Sequence, residues 1–443
     1  MTPNHPRRAL ALACAALFAT TAAHAEVDAL VREATALTDK GAGAQAYALL
    51  DPQEVARAGD PDFDLAFGTA ANAGAHYSRA IIALERVLVA QPDNMRARAE
   101  LGRALFAVGD TRAARELLLQ SRQQGIPVAA GESVDQLLYA IDRVDALGKS
   151  SYKAYVELGI GHDSNANGGP AGGIFAVPSL GGAIVTLQPG FLRESGSYAT
   201  AGAGVSGRYV LDPRWSVIGN LNLTGRVYGG DADRFDMLQA DGNLGLSYRV
   251  ERHELSLVVQ GGTYDLDHHR ERNITGVVGE WIYRFDGFRQ FGAYVQAGRM
   301  SYPQQHVADV DRTVLGFTYA HLTRSGLLAY GGAYAGTESE RAASVAHLGH
   351  DLAGLRAGLQ QALALNLWAF GTLGYEERRF GGTDPQFAVT RRDRQANLAV
   401  GLSWVPAPQW RVTPQVSWTQ VRSNVPTAAY DRTMVSVTAR LEF

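Results

Sequence analysis

One Asx-rich stretch of this sequence resembles a ligand site in its residue types and spacing. Asp163, Asn165 and Asn167 alternate in the segment GIGHDSNANGG, and Gly168 follows them. This order matches the first half of a calcium loop, D-x-[DN]-x-[DN]-G, whose side-chain oxygens bind the ion. A calcium loop ends with a bidentate carboxylate at its twelfth position, but Ile174 stands there. No helical pattern flanks the stretch either, so the sequence argues against calcium.

Other residues with chemical potential lack the spacing that a site requires. His268 and His269 follow two aspartates, but no accepted metal-ligand spacing is present, so a solvated loop is the better interpretation. Glu376 and Glu377 are adjacent and would point to opposite faces of a strand, which makes them a poor acid–base pair. The sequence has no H-E-x-x-H, G-x-S-x-G or phosphate-loop motif. We therefore expect no enzymatic activity, no metal and no other cofactor.

Residues 1–25 have the features of a secretory signal peptide. Arg7 and Arg8 form a basic region, a short apolar core follows, and the cleavage motif AHA ends at Ala25. The only cysteine, Cys14, lies inside this segment, so the predicted mature chain has no disulfide and no thiol. Without the two arginines the formal charge of −3 becomes −5, which argues against binding to nucleic acid.

Residues 26–148 have the periodicity of helices, with apolar residues three and four positions apart. Glycine, alanine and leucine also recur at a spacing of 34 residues, which is the period of the tetratricopeptide repeat (TPR). These residues and a proline that closes the first unit form the predicted TPR signature: Gly68, Ala80, Leu84, Pro92, Gly102, Ala114 and Leu118. The sequence therefore predicts a TPR-like α-solenoid in which the glycines let paired helices approach closely.

A solenoid of helix pairs has a concave face that suits a bound polypeptide. Asn72, Arg96 and Arg103 occupy positions on the first helix of a pair that would face this surface, and we take them as candidate client-binding residues. A rigid spacer without a binding role is the alternative, because fold alone does not determine function.

Residues 149–443 change from the period of helices to the period of strands. Apolar and polar residues alternate from Trp215 to Tyr228, and the same alternation recurs near His253 and Trp410. A period of two indicates strands with one apolar and one polar face. About fourteen segments have the length and spacing of membrane strands. The sequence therefore predicts an antiparallel outer-membrane β-barrel of about fourteen strands.

The predicted connections alternate between short turns and long polar loops. Turns such as LDPR and VER alternate with loops such as 165–197 and 265–273, as short periplasmic turns and longer external loops do in outer-membrane barrels. An even number of strands puts both ends of the barrel on the periplasmic side, so the helical domain is expected in the periplasm. Phe443, at the end of an alternating strand, is the aromatic residue that the barrel-insertion machinery usually recognises.

The order of helical repeats and barrel resembles the surface lipoprotein assembly modifier (Slam) family. LGIGHDSNANGG opens the barrel sequence, and YDRTMVSVTARLEF closes it. The residues that match the family's G-x-D-S-N-x-N motif are here called the Asx motif: Gly161, Asp163, Ser164, Asn165 and Asn167. His162 departs from the family, which often has an aromatic residue there. We interpret the motif as a strand-end turn that sends residues 168–190 into or over the lumen; an ordinary external loop is the alternative.

The resemblance implies that the protein helps lipoproteins, or related exported proteins, to cross the outer membrane to the cell surface. The helical domain would engage the periplasmic client or a chaperone, and the barrel would supply the passage, alone or with the barrel-assembly machinery. No nucleotide or metal is implied.

An exopolysaccharide export porin is the main alternative, because such proteins also join TPR repeats to a barrel. They usually carry more repeats and a lumen rich in one sign of charge. Here the repeats are few, and the predicted inner face carries both signs: Arg226, Arg411 and Arg440 with Glu254 and Glu442. A diffusion porin with an accessory domain is a third possibility.

Overall fold

The chain divides into two compact units, Met1–Asp142 and Arg143–Phe443. The fold comes from a computed structural model, which describes residues 29–123, 131, 133–138, 140–141, 150–323 and 325–443. The predicted signal peptide and the predicted domain boundary between residues 148 and 149 lie outside the described residues. Among the residues that the structure describes, no helix is long and apolar enough to cross a membrane.

The first unit is built from helices that pack against their neighbours in sequence. Asp60 accepts a hydrogen bond from the N–H of Asp62 at 3.1 Å, and Asn94 accepts one from Ala97 at 2.9 Å; these side chains cap two of the longer helices. The helices are α1 (residues 29–39), α2 (Gly43–Leu50), α3 (Glu54–Arg57), α4 (Pro61–Ala73), α5 (Tyr77–Ala90), α6 (Met95–Val108) and α7 (Thr111–Gln123). Residues 131, 133–138 and 140–141 are also helical.

The TPR signature marks a contact that occurs twice between paired helices. A Cβ atom on Gly68 of α4 would lie 2.6 Å from Cγ of Leu84 on α5. A Cβ atom on Gly102 of α6 would lie 2.9 Å from Cγ of Leu118 on α7. The signature alanines, at positions 80 and 114, are fully buried beside these contacts, and Pro92 follows α5. The two helix pairs therefore repeat one packing unit, and the prediction of a TPR-like helical domain is confirmed.

Within the described residues of the second unit, fourteen strands form a closed antiparallel barrel in which β1 pairs with both β4 and β16. Strands β2 and β3 form a separate hairpin in the connection between β1 and β4. The prediction of an antiparallel barrel of about fourteen strands is confirmed. The strands are β1 (Ser151–Asp163), β2 (Ile174–Val177), β3 (Ala183–Thr186), β4 (Gly196–Val210), β5 (Trp215–Tyr228), β6 (Met237–Val250), β7 (His253–Leu266), β8 (His269–Arg284), β9 (Arg289–Ser301), β10 (Val310–Leu322), β11 (Leu328–Glu340), β12 (His350–Ala364), β13 (Leu367–Thr383), β14 (Thr390–Trp404), β15 (Trp410–Ser423) and β16 (Tyr430–Glu442).

The two ends of the barrel differ in their connections. Short turns join the strands at the end where β1 begins and β16 ends, here called the turn end, and most connections at the opposite loop end are longer. The predicted long loop over residues 265–273 is wrong, because β7 and β8 continue to a two-residue turn at the loop end. Asp267 and His268 form this turn with φ values of 48° and 62°, a conformation that non-glycine residues rarely adopt.

Side chains alternate between the lipid and the lumen along each barrel strand. On β1, Leu158 and Ile160 are 68% and 69% exposed on the outer face, whereas Glu157 and Asp163 face inward and bond to side chains of other strands. Aromatic residues gather on the outer face toward the turn end, as in the pair of Trp215 with Tyr248, whose ring centroids lie 4.8 Å apart. Apolar side chains face outward because a lipid-exposed charge is costly, so the interior of the barrel is polar.

Candidate functional site

The Asx motif lies where β1 reaches the loop end, and it connects three strands of the barrel. Asp163 is fully buried. Its carboxylate accepts hydrogen bonds from Arg432 of β16, with Nε 3.0 Å from Oδ2, and from the hydroxyl of Tyr228 of β5 at 2.9 Å. The backbone N–H of Asn165 donates to the same carboxylate at 2.9 Å. These residues form the seam cluster, which joins the first strand to the last at the point where the barrel closes.

The two asparagines of the motif hold the chain that leaves β1. The amide of Asn165 donates to the carbonyl oxygens of Gly169 and Asp431, each at 2.9 Å, and accepts from the N–H of Gly169 at 3.0 Å. The amide of Asn167 donates to the carbonyl oxygen of Leu192 at 2.6 Å. Both side chains therefore satisfy main-chain groups and fix the two ends of the connection between β1 and β4.

Ser164 and Gly161 complete the motif. The N–H of Ser164 donates to the carbonyl oxygen of Thr433 at 2.9 Å, and its hydroxyl accepts from the N–H of Thr433 at 2.8 Å. A Cβ atom on Gly161 would lie 2.5 Å from the ring of Tyr198 on β4, which packs edge-on against Tyr228 at 5.5 Å. Each residue of the motif thus has a structural use at the seam.

The geometry of the Asx motif does not suit a calcium ion. The carboxylate of Asp163 is paired with the guanidinium of Arg432, and this fixed positive charge would repel a metal cation. In the described part of the chain, no group of three or more His, Cys, Asp or Glu side chains is placed to hold a metal ion.

The connection after the motif folds back along the loop end. The ring of Phe175 on β2 packs against Phe387, in the connection between β13 and β14, with centroids 5.7 Å apart. The N–H of Ser179 donates to the carbonyl oxygen of Gln386 at 3.2 Å. The β2–β3 hairpin is therefore anchored to the rim of the barrel at a second place besides the seam.

The lumen wall carries both signs of charge in ion pairs that cross between strands. Glu254 of β7 bonds to Arg208 at 2.6 Å, to Arg284 at 2.7 Å and to Arg249 at 3.1 Å. Where β16 meets β1, Arg440 lies 2.9 Å from Glu157. Both signs of charge therefore line the lumen, as the alternation pattern indicated.

Several lumen arginines also stack on aromatic rings. The guanidinium of Arg440 lies 4.0 Å from the ring centroid of Tyr155, and that of Arg226 lies 4.5 Å from Tyr198. Such contacts hold the guanidinium groups against the wall of the lumen. The wall of the lumen is consequently polar and ordered.

The three candidate client-binding residues lie on α4 and α6 but differ in exposure. Asn72 and Arg103 are only 6% and 9% exposed, whereas Arg96 is exposed. The amide nitrogen of Asn72 donates to the carboxylate of Glu100 at 3.0 Å, and Arg103 lies beside the same carboxylate at 3.8 Å. The amide oxygen of Asn72 is buried and has no hydrogen-bond partner among the described residues. The structure thus joins Asn72 and Arg103 through Glu100 and leaves Arg96 separate.

Phe443 extends the ladder between β16 and β1. Its N–H donates to the carbonyl oxygen of Ala154 at 2.8 Å, and its carbonyl oxygen accepts from the N–H of Ala154 at 3.3 Å. The side chain is 62% exposed, so the backbone closes the barrel while the ring stays available to a partner.

Sequence analysis did not find Arg432 and Tyr228, the partners of Asp163. They lie 269 and 65 positions away along the chain. One signal could have found Arg432. In a closed barrel the first and last strands are neighbours, so an inward-facing acid at the end of the first strand suggests an inward-facing base near the start of the last.

Comparison with known proteins gives one family match and several distant structural similarities. The family model for the surface lipoprotein assembly modifier matches residues 199–443. No curated protein matches the chain.

Among solved structures, the outer membrane protein OmpT of Vibrio cholerae is 10% identical, covers 67% of this chain and 100% of its own, and has a TM-score of 0.37. The outer membrane channel DcaP of Acinetobacter baumannii is 9% identical over 66% of this chain and 97% of its own, with a TM-score of 0.39. The translocator chaperone SycD of Yersinia enterocolitica is 20% identical over 27% of this chain and 85% of its own, with a TM-score of 0.24.

The family model covers more than half of the chain and every barrel strand except β1 and the first residues of β4. The match includes the closing segment YDRTMVSVTARLEF of the resemblance, whereas the Asx motif and the helical repeats lie before residue 199. The closed barrel with its apolar outer face agrees with an outer-membrane location. The chain therefore belongs to the surface lipoprotein assembly modifier family.

Proposed function

We propose that this protein delivers lipoproteins, or related exported proteins, to the cell surface. The helical domain engages the client in the periplasm, and the barrel acts as the conduit through the outer membrane. The observation that carries the proposal is the family match over residues 199–443. The polar lumen wall supports it, because a polypeptide in transit needs partners for its backbone that lipid cannot supply. In this proposal, transport includes no catalytic step, and client folding or binding outside the cell drives it.

The client contact in this proposal is the surface around α4 and α6. A buried acceptor without a partner costs about 1–3 kcal/mol. A hydrogen bond from a client N–H to the amide oxygen of Asn72 would therefore stabilise the complex. Arg96, four positions before Glu100 on α6, is exposed and supplies a charge to an acidic client segment. Arg103 positions Glu100, which holds the amide nitrogen of Asn72.

A surface comparison tests the proposal. Cells that lack the gene and cells that express it are treated with protease, and the released lipoproteins and the total lipoproteins are quantified. We expect one or a few lipoproteins to remain in the cell but to disappear from the surface. If the lipoproteins stay exposed and a surface polymer is lost, the protein is an export porin. If neither changes and the purified barrel conducts ions steadily, it is a diffusion porin.

The client surface is tested in the same cells with Asn72→Ala and Arg96→Glu. We expect both variants to reduce the surface amount of the client while the barrel accumulates normally. Arg112→Glu is the matched control, because it makes the same change of charge at an exposed position of α7. If the variants and the control deliver equal amounts of client to the surface, Asn72 and Arg96 do not bind the client.

A further inference from the structure

Four arginines face outward at the loop end on three neighbouring strands. They are here called the outer arginine cluster: Arg379 on β13, Arg392 and Arg394 on β14, and Arg422 on β15. All four are exposed. The residues between them, Arg391 and Asp393, point to the lumen side and pair with each other at 2.7 Å. The cluster is therefore separate from the lumen charges.

The strand register places these cations directly opposite one another. Arg379 is the partner of Arg392 in the ladder between β13 and β14, and Arg394 is the partner of Arg422 in the ladder between β14 and β15. Like charges in directly opposite positions destabilise a sheet. The arrangement therefore opposes folding unless something negative lies between the strands.

Among the described residues, two carboxylates stand opposite the four arginines and leave the cluster with an excess of positive charge. Glu377 bonds to Arg379 at 3.0 Å and stands opposite Arg394 in the ladder between β13 and β14. Asp351 stands opposite Arg379 in the ladder between β12 and β13. Asp431, on β16, accepts a hydrogen bond from Gln420 at 2.9 Å. Within the described part of the chain, the guanidinium groups of Arg392 and Arg394 make no hydrogen bond or ion pair.

The cluster lies at the boundary of the apolar belt. Below it on the same outer face, β13 presents Tyr375 and then Leu373, and β15 presents Trp418 and then Val416, all of them at least 36% exposed. An aromatic residue between charges and aliphatic side chains marks the level of lipid headgroups. At the same end of the barrel, the outer face of β4 and β5 carries the apolar pair Ala199 and Val227, so the charge is local.

We propose that the outer arginine cluster binds the phosphate groups of a lipid in the outer leaflet of the outer membrane. A guanidinium binds phosphate through two parallel hydrogen bonds, and one phosphate between two opposed arginines removes the repulsion across the ladder. The position of the cluster favours a lipid phosphate over a free one, because its side chains lie on the lipid-facing surface at the edge of the apolar belt. The proposal requires only that the barrel lies in the outer membrane, and it does not depend on the identity of the client.

Lipid binding by the purified full-length protein tests this proposal. The probes are detergent micelles that contain phosphorylated lipid A, micelles that contain lipid A without its phosphates, and inorganic phosphate alone. The variant Arg392→Gln/Arg394→Gln removes the two cations whose guanidinium groups make no bond to other described residues. The matched control is Arg299→Gln/Arg341→Gln, which removes two outward arginines that are paired with Asp311.

We expect the natural protein and the control variant to bind phosphorylated lipid A equally. The cluster variant should bind it at least tenfold more weakly, and lipid A without phosphates should bind weakly to all three proteins. The faster migration of the unheated barrel on gels shows that each variant is folded. Equal binding by the cluster variant and the natural protein would overturn the proposal. Inorganic phosphate that binds as tightly as the lipid would overturn the assignment to a lipid.

Discussion

In the helical domain, Gly68 and Gly102 each make room for a leucine of the partner helix, whereas in the barrel Gly161 makes room for the ring of Tyr198. The two regions use the same device, a missing Cβ atom beneath a bulky side chain. What surrounds the contact differs. The leucine contacts lie in an apolar core. The ring of Tyr198 instead packs against Tyr228, whose hydroxyl donates to Asp163 in the seam cluster.

The difference follows from the solvent on the outside of each region. Water surrounds the helical domain, so apolar side chains gain free energy by packing inside. Lipid surrounds the barrel, so apolar side chains gain nothing from leaving the outer face, and specific closure depends on hydrogen bonds and charges inside. The position of the tryptophans separates the two regions experimentally, because all six lie between residues 215 and 418. Tryptophan fluorescence therefore reports the barrel, and circular dichroism at 222 nm reports mainly the helices.

The largest effect is expected from Asp163→Ala. The carboxylate of Asp163 is fully buried, and its loss leaves the guanidinium of Arg432 without its partner. Breaking such a buried pair costs about 3 kcal/mol. We expect this loss in the free energy of unfolding, measured by urea titration of tryptophan fluorescence in detergent micelles. The helical signal should be unaffected. A loss below about 1 kcal/mol would mean that the seam cluster does not stabilise closure.

The next effect is expected from Gly68→Val in the helical domain. The new side chain must enter space that Leu84 occupies, and such overpacking costs about 1–3 kcal/mol. We expect the thermal transition at 222 nm to shift downward while the fluorescence transition stays in place. The double variant with Leu84→Ala should lose less than the sum of the two single variants, because the second change makes space. Ala90→Val, at the exposed end of α5, is the control and should have little effect.

A smaller effect is expected from Glu157→Gln in the lumen. Glu157 pairs with Arg440 at 2.9 Å, but both side chains are partly exposed, at 24% and 33%, and pairs that water can reach contribute less than about 1 kcal/mol. The urea titration that tests Asp163→Ala also tests this prediction. If both variants lose the same free energy, the seam cluster is no more important than an ordinary lumen pair.

The smallest effect on stability is expected from Phe443→Ala. Its ring is exposed, and its two backbone hydrogen bonds with Ala154 remain, so the free energy of unfolding should change by less than about 0.5 kcal/mol. We expect instead a lower amount of folded barrel in the outer membrane of cells, measured by heat-dependent gel migration. Normal assembly in cells would argue against recognition of this residue by the insertion machinery.

The sequence predicted the architecture because each of its two repeat spacings is set by the geometry of one structural unit. The spacing of 34 residues between Gly68 and Gly102 corresponds to one helix pair, and the alternation from Trp215 to Tyr228 corresponds to one strand with two faces. The turn at Asp267 and His268 was missed because the local composition is typical of a loop and neither residue is a glycine. The link from Asp163 to Arg432 was missed because it exists only in the closed barrel.

The seam cluster also has a consequence for how many strands the barrel contains. If β1 closed on an earlier strand, the ring would be smaller, and Asp163 would be buried without Arg432 while Asn165 would lack the carbonyl oxygen of Asp431. Neither error can be repaired locally, because the partners stand on β16. A barrel that closes with too few strands is therefore destabilised where its first and last strands meet. The pair of Asp163 and Arg432 thus favours closure only after all strands are present.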